Sequence, residues 1–184
     1  MEQYVAFLRG INTGATGRGR KSVPMAELRE LAESLDLRDP GTHIQSGNLW
    51  FATSQPAAGL ESALESAITT RFGFEVPVLV RRVKTLTSAR SKCPFESAAQ
   101  ERPSQVHIGF AKVQPASNAV ADLEAHAKHD EQVIAVGKHL WFDFPNGVGR
   151  TKLIPKILDR CAGSPMTLRN VNTLDAVILA CKGR

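Results

Sequence analysis

The order of short apolar segments constrains the fold of this chain most, because one succession of strand and helix patterns occurs twice. Each half predicts a strand, a helix, a two-stranded hairpin, a second helix and a further strand. This succession is typical of the split βαβ, or ferredoxin-like, unit. We therefore predict an α+β protein of tandem ferredoxin-like (βαββαβ) halves packed together, followed by a C-terminal helix.

The individual elements follow from apolar spacing and from turn residues. In the first half we predict a strand over residues 4–12, a helix with Pro24 at its first position, hairpin arms over 42–45 and 49–52, a helix over 60–72 that Gly73 ends, and a strand over 76–80. In the second half we predict a strand over 106–110, a helix over 119–128, hairpin arms over 132–136 and 140–144, a helix over 152–161, a strand over 166–168, and a last helix over 173–182 capped by Asn172.

The predicted boundaries are residues 1–92 for the first half, 93–104 for a linker and 105–184 for the second half with its C-terminal helix, forming one compact body. Trp50 and Trp141 occupy the same place in the second arm of each hairpin, which favours an internal duplication and a core position for both. The first strand is apolar on both faces, so we expect its open face to be covered by the other half. The alternative is a single mixed sheet.

Composition indicates a soluble globular protein. Hydrophobic residues make up 42% and charged residues 22% of the 184 residues, and the first residues are too short an apolar run for a secretory or membrane segment. We expect a cytoplasmic protein without a membrane partner. The 3 cysteines are widely spaced, which predicts neither a disulfide framework nor a thiolate metal site. We predict no metal and no cofactor.

Four segments are similar to a known family. They are YVAFLRGIN at residues 4–12, Pro24-Met25, IQSGN at 44–48 and TLRNVNT at 167–173. In this order, over nearly the whole chain, they resemble the uncharacterised family catalogued as domain of unknown function 1697. The resemblance implies a compact α+β protein of ferredoxin-like halves and brings no established activity, substrate or catalytic residue. The segment after residue 12 is longer and more basic here than the short turn usual in that family.

The first strand delivers Arg9 and Asn12 into a glycine-rich basic segment, which is the best candidate for a site. Its cations are Arg18, Arg20 and Lys21, ahead of a helix start that favours anions. Arg20 stands where a nucleotide-triphosphate loop needs lysine, so that motif is broken. The alternatives are a solvated basic loop and a loop that is mobile until an anionic partner orders it.

Further polar residues cluster at turns. Gln45, Ser46 and Asn48 lie at the first hairpin turn and could converge with the end of the first strand, although a tight turn alone explains these residue types. In the second half, glycines and cations again precede helices, with candidate residues Arg150, Lys152, Arg169 and Asn170. His126 and His129 are better explained by a helix end than by a metal.

The formal net charge of +5 favours anionic partners, either nucleic acid or a phosphorylated small molecule. We therefore predict a binding protein for an anionic ligand. The alternatives are a small enzyme acting on a phosphorylated substrate and a non-catalytic protein-interaction domain. No catalytic residue is predicted, and the sequence makes no prediction about the oligomeric state.

Overall fold

The computed structural model describes residues 1–13 and 21–182. The elements of the first half are β1 (Glu2–Leu8), α1 (Met25–Ser34), β2 (Arg38–His43), β3 (Asn48–Thr53), α2 (Leu60–Phe72) and β4 (Val78–Arg82). Two helices follow, α3 (Val83–Arg90) and α4 (Glu96–Glu101). The elements of the second half are β5 (Val106–Ala111), α5 (Ala119–Glu124), β6 (Gln132–Val136), β7 (His139–Asp143), α6 (Pro155–Ala162), β8 (Met166–Asn170) and α7 (Val171–Lys182).

The strands form two separate antiparallel sheets with the same topology. The first sheet has the order β2-β3-β1-β4 and the second has the order β6-β7-β5-β8. In both sheets the first and last strands of the βαββαβ succession are neighbours, and the first strand of the hairpin forms an edge of the sheet. This is the ferredoxin-like arrangement. The predicted α+β fold with two ferredoxin-like halves and a C-terminal helix is confirmed, and the alternative of a single mixed sheet is wrong.

The chain divides into two compact units. Unit 1 is Met1–Leu86 with Ala176–Arg184, and unit 2 is Thr87–Asp175. The predicted linker over residues 93–104 contains helix α4. The predicted boundaries and the prediction that the halves form one compact body stay predictions.

The core of unit 1 follows from the alternation of side chains along β1. Tyr4, Ala6 and Leu8 are buried in one cluster with residues of both helices, including Leu28 of α1 and Leu64 of α2. The intervening residues, among them Val5 and Phe7, point to the opposite face and are also 0% exposed. The prediction that both faces of this strand are buried is confirmed.

The core of unit 2 is built in the same way. Phe142 and Phe144 are fully buried and stack with ring centroids 5.7 Å apart, in a cluster with Leu123 of α5 and Leu158 of α6. No helix within residues 1–13 and 21–182 is both long enough and apolar enough to cross a membrane.

The two tryptophans occupy corresponding strands, as predicted. Trp50 lies in β3 opposite Val5, and Trp141 lies in β7 opposite Ile108. Trp141 is 1% exposed, whereas Trp50 is half-buried. The Trp50 ring covers Gly41, where a Cβ atom would lie 2.1 Å from the ring. Only glycine fits beneath this side chain.

Three local predictions are wrong. The turn-like composition of Asp39-Pro40-Gly41 predicts the end of the connection before the hairpin arm at 42–45. These residues instead lie inside β2, where the pairing register with β3 shifts between Arg38 and Gly41. Pro24 is the residue before α1, with extended backbone, and not its first helical residue. The cap of α7 is Asn170 and not Asn172, because the Thr173 N–H donates to Asn170 Oδ1 at 2.9 Å.

Candidate functional site

The chain leaves β1 between two other backbone segments of unit 1. The Leu8 N–H donates to the Gly47 carbonyl oxygen at 2.8 Å, and the Arg9 N–H donates to the Pro77 carbonyl oxygen at 3.0 Å. The exit of β1 is therefore fixed between the hairpin turn on one side and the residues before β4 on the other.

Asn12 joins three segments that are distant in sequence. Its N–H donates to the Lys21 carbonyl oxygen at 2.9 Å, and its Oδ1 accepts the Val23 N–H at 3.0 Å. Its Nδ2 donates to the carbonyl oxygens of Val23 at 2.9 Å and Gln45 at 2.8 Å. Asn12 adopts a left-handed backbone with φ of 51°, which asparagine tolerates better than most residues. The predicted ligand contact is thus a structural residue that connects the basic segment to the hairpin turn.

The hairpin turn is held by its own side chains and by close packing. The Asn48 side chain is fully buried, and its Nδ2 donates to the His43 carbonyl oxygen at 2.9 Å and to Ser46 Oγ at 3.1 Å. Gly47 has φ of +78°, and a Cβ atom there would lie 2.7 Å from both Leu8 and Ile11 side chains. The turn explanation of Ser46-Gly47-Asn48 is supported, and Asn48 serves the turn.

The tip of this turn is nevertheless exposed. Ile44 is 53% exposed and has φ of 51°, a conformation that a β-branched residue rarely adopts. Gln45 and Ser46 are also exposed. The turn therefore exposes two polar side chains and one apolar side chain, the last on a residue with a strained backbone.

Two cations lie close to the exit of β1. Arg9 is half-buried directly after β1, and Lys21 is half-buried with its Nζ donating to the Glu75 carbonyl oxygen. We call Arg9, Lys21, Gln45 and Ser46 the β1-exit surface. Arg18 and Arg20, and with them the predicted mobility of the basic segment, lie outside the described residues.

The candidates of the second half belong to unit 2 and divide into two kinds. Arg150 and Lys152 are exposed ahead of α6. Arg169 is 7% exposed and donates to Thr167 Oγ1 at 2.7 Å and to the Leu168 carbonyl oxygen at 2.8 Å. Burial lowers the pKa of Arg169 to about 10. Arg169 and Asn170, the α7 cap, therefore have structural roles that the sequence did not predict.

A groove in unit 1 was not predicted. It has a volume of about 750 Å³ and is lined by Glu33, Asp36 and Asp39 together with Arg38. Asp36 and Asp39 have positive φ values of 57° and 50°. Its carboxylates disfavour anions, which sets this groove apart from the β1-exit surface.

Two buried carboxylates organise unit 2. Asp143 is 5% exposed and receives both terminal nitrogens of Arg102, with Nη2 2.6 Å from Oδ2. This hydrogen bond raises the pKa of Arg102. Burial alone would raise the pKa of Glu131, but hydrogen bonds from the Thr151 hydroxyl and two backbone N–H groups lower it. Both carboxylates are engaged within the fold. The sequence showed neither the Arg102–Asp143 pair nor the Thr151–Glu131 hydrogen bond, because these partners are 41 and 20 residues apart along the chain.

Across residues 1–13 and 21–182, no three His, Cys, Asp or Glu side chains are grouped to hold a metal. His126 has Nε2 2.7 Å from Arg160 Nη2 and Nδ1 2.7 Å from the Asp122 carbonyl oxygen, so both ring nitrogens are engaged. Burial raises the pKa of the Cys93 thiol, which disfavours its reactive thiolate.

Comparison with known proteins identifies the family of this chain. The model of the family described as "Protein of unknown function (DUF1697)" matches residues 1–141, a range that includes β1, the hairpin turn and the whole β1-exit surface. The chain belongs to this family. The DUF1697 match confirms the resemblance to this family, although the TLRNVNT segment at residues 167–173 lies outside the matched range.

A solved structure supports the fold of this DUF1697 protein. The conserved bacterial protein SP0830 from Streptococcus pneumoniae is similar, with a TM-score of 0.74, 20% sequence identity and coverage of 97% of each chain. At this identity the similarity concerns the fold alone. No curated protein sequence matches the chain.

Proposed function

We propose that this protein binds an anionic, phosphate-bearing ligand at the β1-exit surface. The observation that carries the proposal is the position of Asn12, whose hydrogen bonds hold Lys21, Val23 and Gln45 beside the end of β1. The backbone that leaves at Asn12 therefore returns at Lys21, so the ends of the basic segment lie next to Arg9 and the exposed hairpin tip.

Charge supports an anion at this position. Arg9, Arg18, Arg20 and Lys21 lie within one stretch of sequence, and no acidic residue occurs between Arg9 and Pro24. Gln45 and Ser46 add exposed side chains that can donate hydrogen bonds to phosphate oxygens. Several cations with a few neutral donors are the usual means of holding a phosphate group.

The proposed ligand class includes nucleic acid and phosphorylated small molecules, and salt dependence separates them. Binding of a single-stranded oligonucleotide weakens steeply with salt, because each neutralised phosphate releases a counterion. A pocket for one small anion responds less. Titrating the full chain with a fluorescent oligonucleotide and with a nucleoside triphosphate, at about 50 and 200 mM salt, distinguishes the two classes.

The site is tested by removing its charges. We expect R9A and the triple variant R18A/R20A/K21A to weaken binding at low salt by about tenfold or more, while unfolding free energy changes little in the triple variant. The matched control is K92A/K128A/K156A, which removes three exposed lysines elsewhere. Equal loss of binding in the control, or no binding of either probe by the wild-type protein, would refute the proposal.

We also propose a cytoplasmic location and an origin by internal duplication. Cys93, Cys161 and Cys181, the three cysteines of the sequence, form no disulfide with one another, which is typical of proteins in a reducing compartment. The identical strand order of the two sheets is what a duplicated βαββαβ unit would give.

A further inference from the structure

Strand β6 forms an edge of the second sheet and lacks three common protections of an edge strand, namely charge, proline and an irregular register. It has 5 residues, Gln132–Val136, with the sequence QVIAV, which contains neither a charge nor a proline. It pairs with β7 in an uninterrupted register from Gln132 opposite Asp143 to Val136 opposite His139. Regular, uncharged edges of this kind are templates for pairing with another strand.

The corresponding edge of the first sheet shows the contrast. Strand β2 carries Arg38, Asp39 and Pro40, and its register with β3 is irregular. Charges, proline and irregular register are the devices by which proteins block edge pairing. The same position in the same topology is therefore protected in unit 1 and open in unit 2.

The turn determines which backbone groups of β6 face outward. Gly137 and Lys138 alone connect Val136 to His139, so Val136 and His139 form the hydrogen-bonded pair next to a two-residue turn. Hydrogen-bonded and non-hydrogen-bonded pairs alternate along an antiparallel ladder. The N–H and C=O groups of Val133 and Ala135 consequently point away from β7, toward the open edge.

We infer that β6 pairs in antiparallel fashion with β6 of a second copy of this chain, about a two-fold axis at Ile134. In this register Val133 exchanges backbone hydrogen bonds with the partner's Ala135, and Ala135 does so with the partner's Val133. Ile134, which is 39% exposed beside the buried Trp141, meets the partner's Ile134. The interface is isologous, as two-fold dimers require.

Charge complementarity selects this register and this occupant. The same two-fold axis places Asp130, exposed just before β6, opposite the partner's Lys138, which is exposed just after it. Each dimer thus has two opposite-charge pairs at the ends of the shared ladder. A strand whose two flanks carry opposite charges is complementary to itself when it is turned antiparallel.

The dimer is weak, because one strand pair buries a small area. Interfaces of this size belong to the transient class, with dissociation constants of roughly 10 µM or higher. Sedimentation velocity of the full chain, from about 5 to 500 µM, covers this range. The wild-type protein should shift from monomer to dimer across it.

Two kinds of variant test the register. A135P removes an N–H group that points away from β7, so the hairpin keeps its own hydrogen bonds while dimerisation is lost. K138E places like charges together and should weaken the dimer about three- to tenfold. D130N should weaken the wild-type dimer but strengthen the K138E dimer, because it relieves the new repulsion; asparagine also tolerates the positive φ of 61° at this position.

The matched control is K156E, which makes the same charge change at an exposed position on α6. It should leave the dimer unchanged. A wild-type protein that stays monomeric at the highest concentration overturns the inference. So does a dimer that survives A135P, or a D130N substitution that has the same sign of effect in the wild-type and K138E backgrounds.

Discussion

The side-chain amide of Asn12 lies 2.8 Å from the carbonyl oxygen of Gln45, a residue 33 positions further along the chain. The same side chain both donates to and accepts from the backbone of Val23. One asparagine thus connects the exit of β1, the entry to α1 and the first hairpin turn. We therefore expect substitution of Asn12 to affect the stability of the fold more directly than it affects ligand binding.

We expect N12A to lower the free energy of unfolding by about 2–4 kcal/mol, since it leaves the buried Val23 N–H unpaired and places alanine at positive φ. Urea unfolding measures the change. N12G also removes the side-chain amide, but glycine adopts a positive φ without strain, so N12G should be less destabilised than N12A. The exposed neighbour provides the control, T13A, which should change stability by less than about 0.5 kcal/mol. An N12A variant as stable as T13A would contradict the structural role.

The ion pair between Arg102 and Asp143 should contribute strongly because Asp143 is buried. D143N removes the charge with little change of shape, and we expect a loss of about 1–3 kcal/mol. The control is R71A, which breaks the contacts of Arg71 with Glu27 and Glu30, where the side chains are 40–65% exposed. That substitution should cost less than about 1 kcal/mol. Thermal and urea unfolding measure the loss of stability in both variants. Equal losses in D143N and R71A would contradict the role of burial.

Stability should decrease as the pH falls, in part because of His107. Burial lowers the pKa of His107, the Arg169 charge lowers it further, and a hydrogen bond with the Gln105 carbonyl oxygen opposes the change. The unfolded chain therefore takes up the proton first. The contribution of neutral His107 to the stability of the fold is complete above the usual histidine pKa of about 6.5. It is lost as the pH falls from there toward the lower pKa of His107 in the folded state.

H107Q tests this pH dependence. The free energy of unfolding, measured by urea at pH 7.5 and pH 5.5, should fall less in H107Q than in the wild-type protein. T13A is the control, because it replaces an exposed residue that does not titrate and should therefore retain the wild-type slope. Parallel slopes for H107Q and the wild-type protein would rule out His107 as a source.

Gly41 should not tolerate a side chain, because the Trp50 ring occupies the space of its Cβ atom. We expect G41A to displace Trp50, to shift its fluorescence, and to lower stability by about 1–3 kcal/mol. A Cβ atom at Gly149 would meet no other atom within 4 Å, and Gly149 has no positive φ, so G149A is the matched control with little effect. Unchanged tryptophan emission in G41A would show that Trp50 does not rest on Gly41.

The predicted elements agree with the structure where local rules are sufficient. Helix α2 has the predicted bounds, since apolar residues recur at helical spacing and Gly73 ends it in a left-handed conformation with φ of 78°. Strand β2 shows the opposite case. Asp39-Pro40-Gly41 has turn composition, but pairing with β3 and the cover of the Trp50 ring keep it in the sheet. Tertiary contacts there override the local preference.

The ligand-binding role of the candidate site stays a prediction, whereas part of its geometry could be expected from the sequence. Strand and hairpin ends can lie at neighbouring positions in this topology, so Arg9 and Asn12 could converge with Gln45, Ser46 and Asn48, and Asn12 does contact Gln45. It could not show that the amides of Asn12 and Asn48 bind the backbone, since the partners of Asn12 are up to 33 residues away. Arg169 shows the same limit, because its burial depends on strands that the local sequence does not contain.

The hydrogen bond between the Asn12 N–H and the Lys21 carbonyl oxygen, 2.9 Å long, has an evolutionary consequence. It holds Asn12 and Lys21 next to each other, and Val23, which follows, is fully buried in the core. Changing the number of residues between these two fixed positions costs little free energy, since the entropy of loop closure grows only with the logarithm of length. Insertions, deletions and grafted peptides between Thr13 and Lys21 should therefore be tolerated by the fold, which leaves this position free to diversify among relatives.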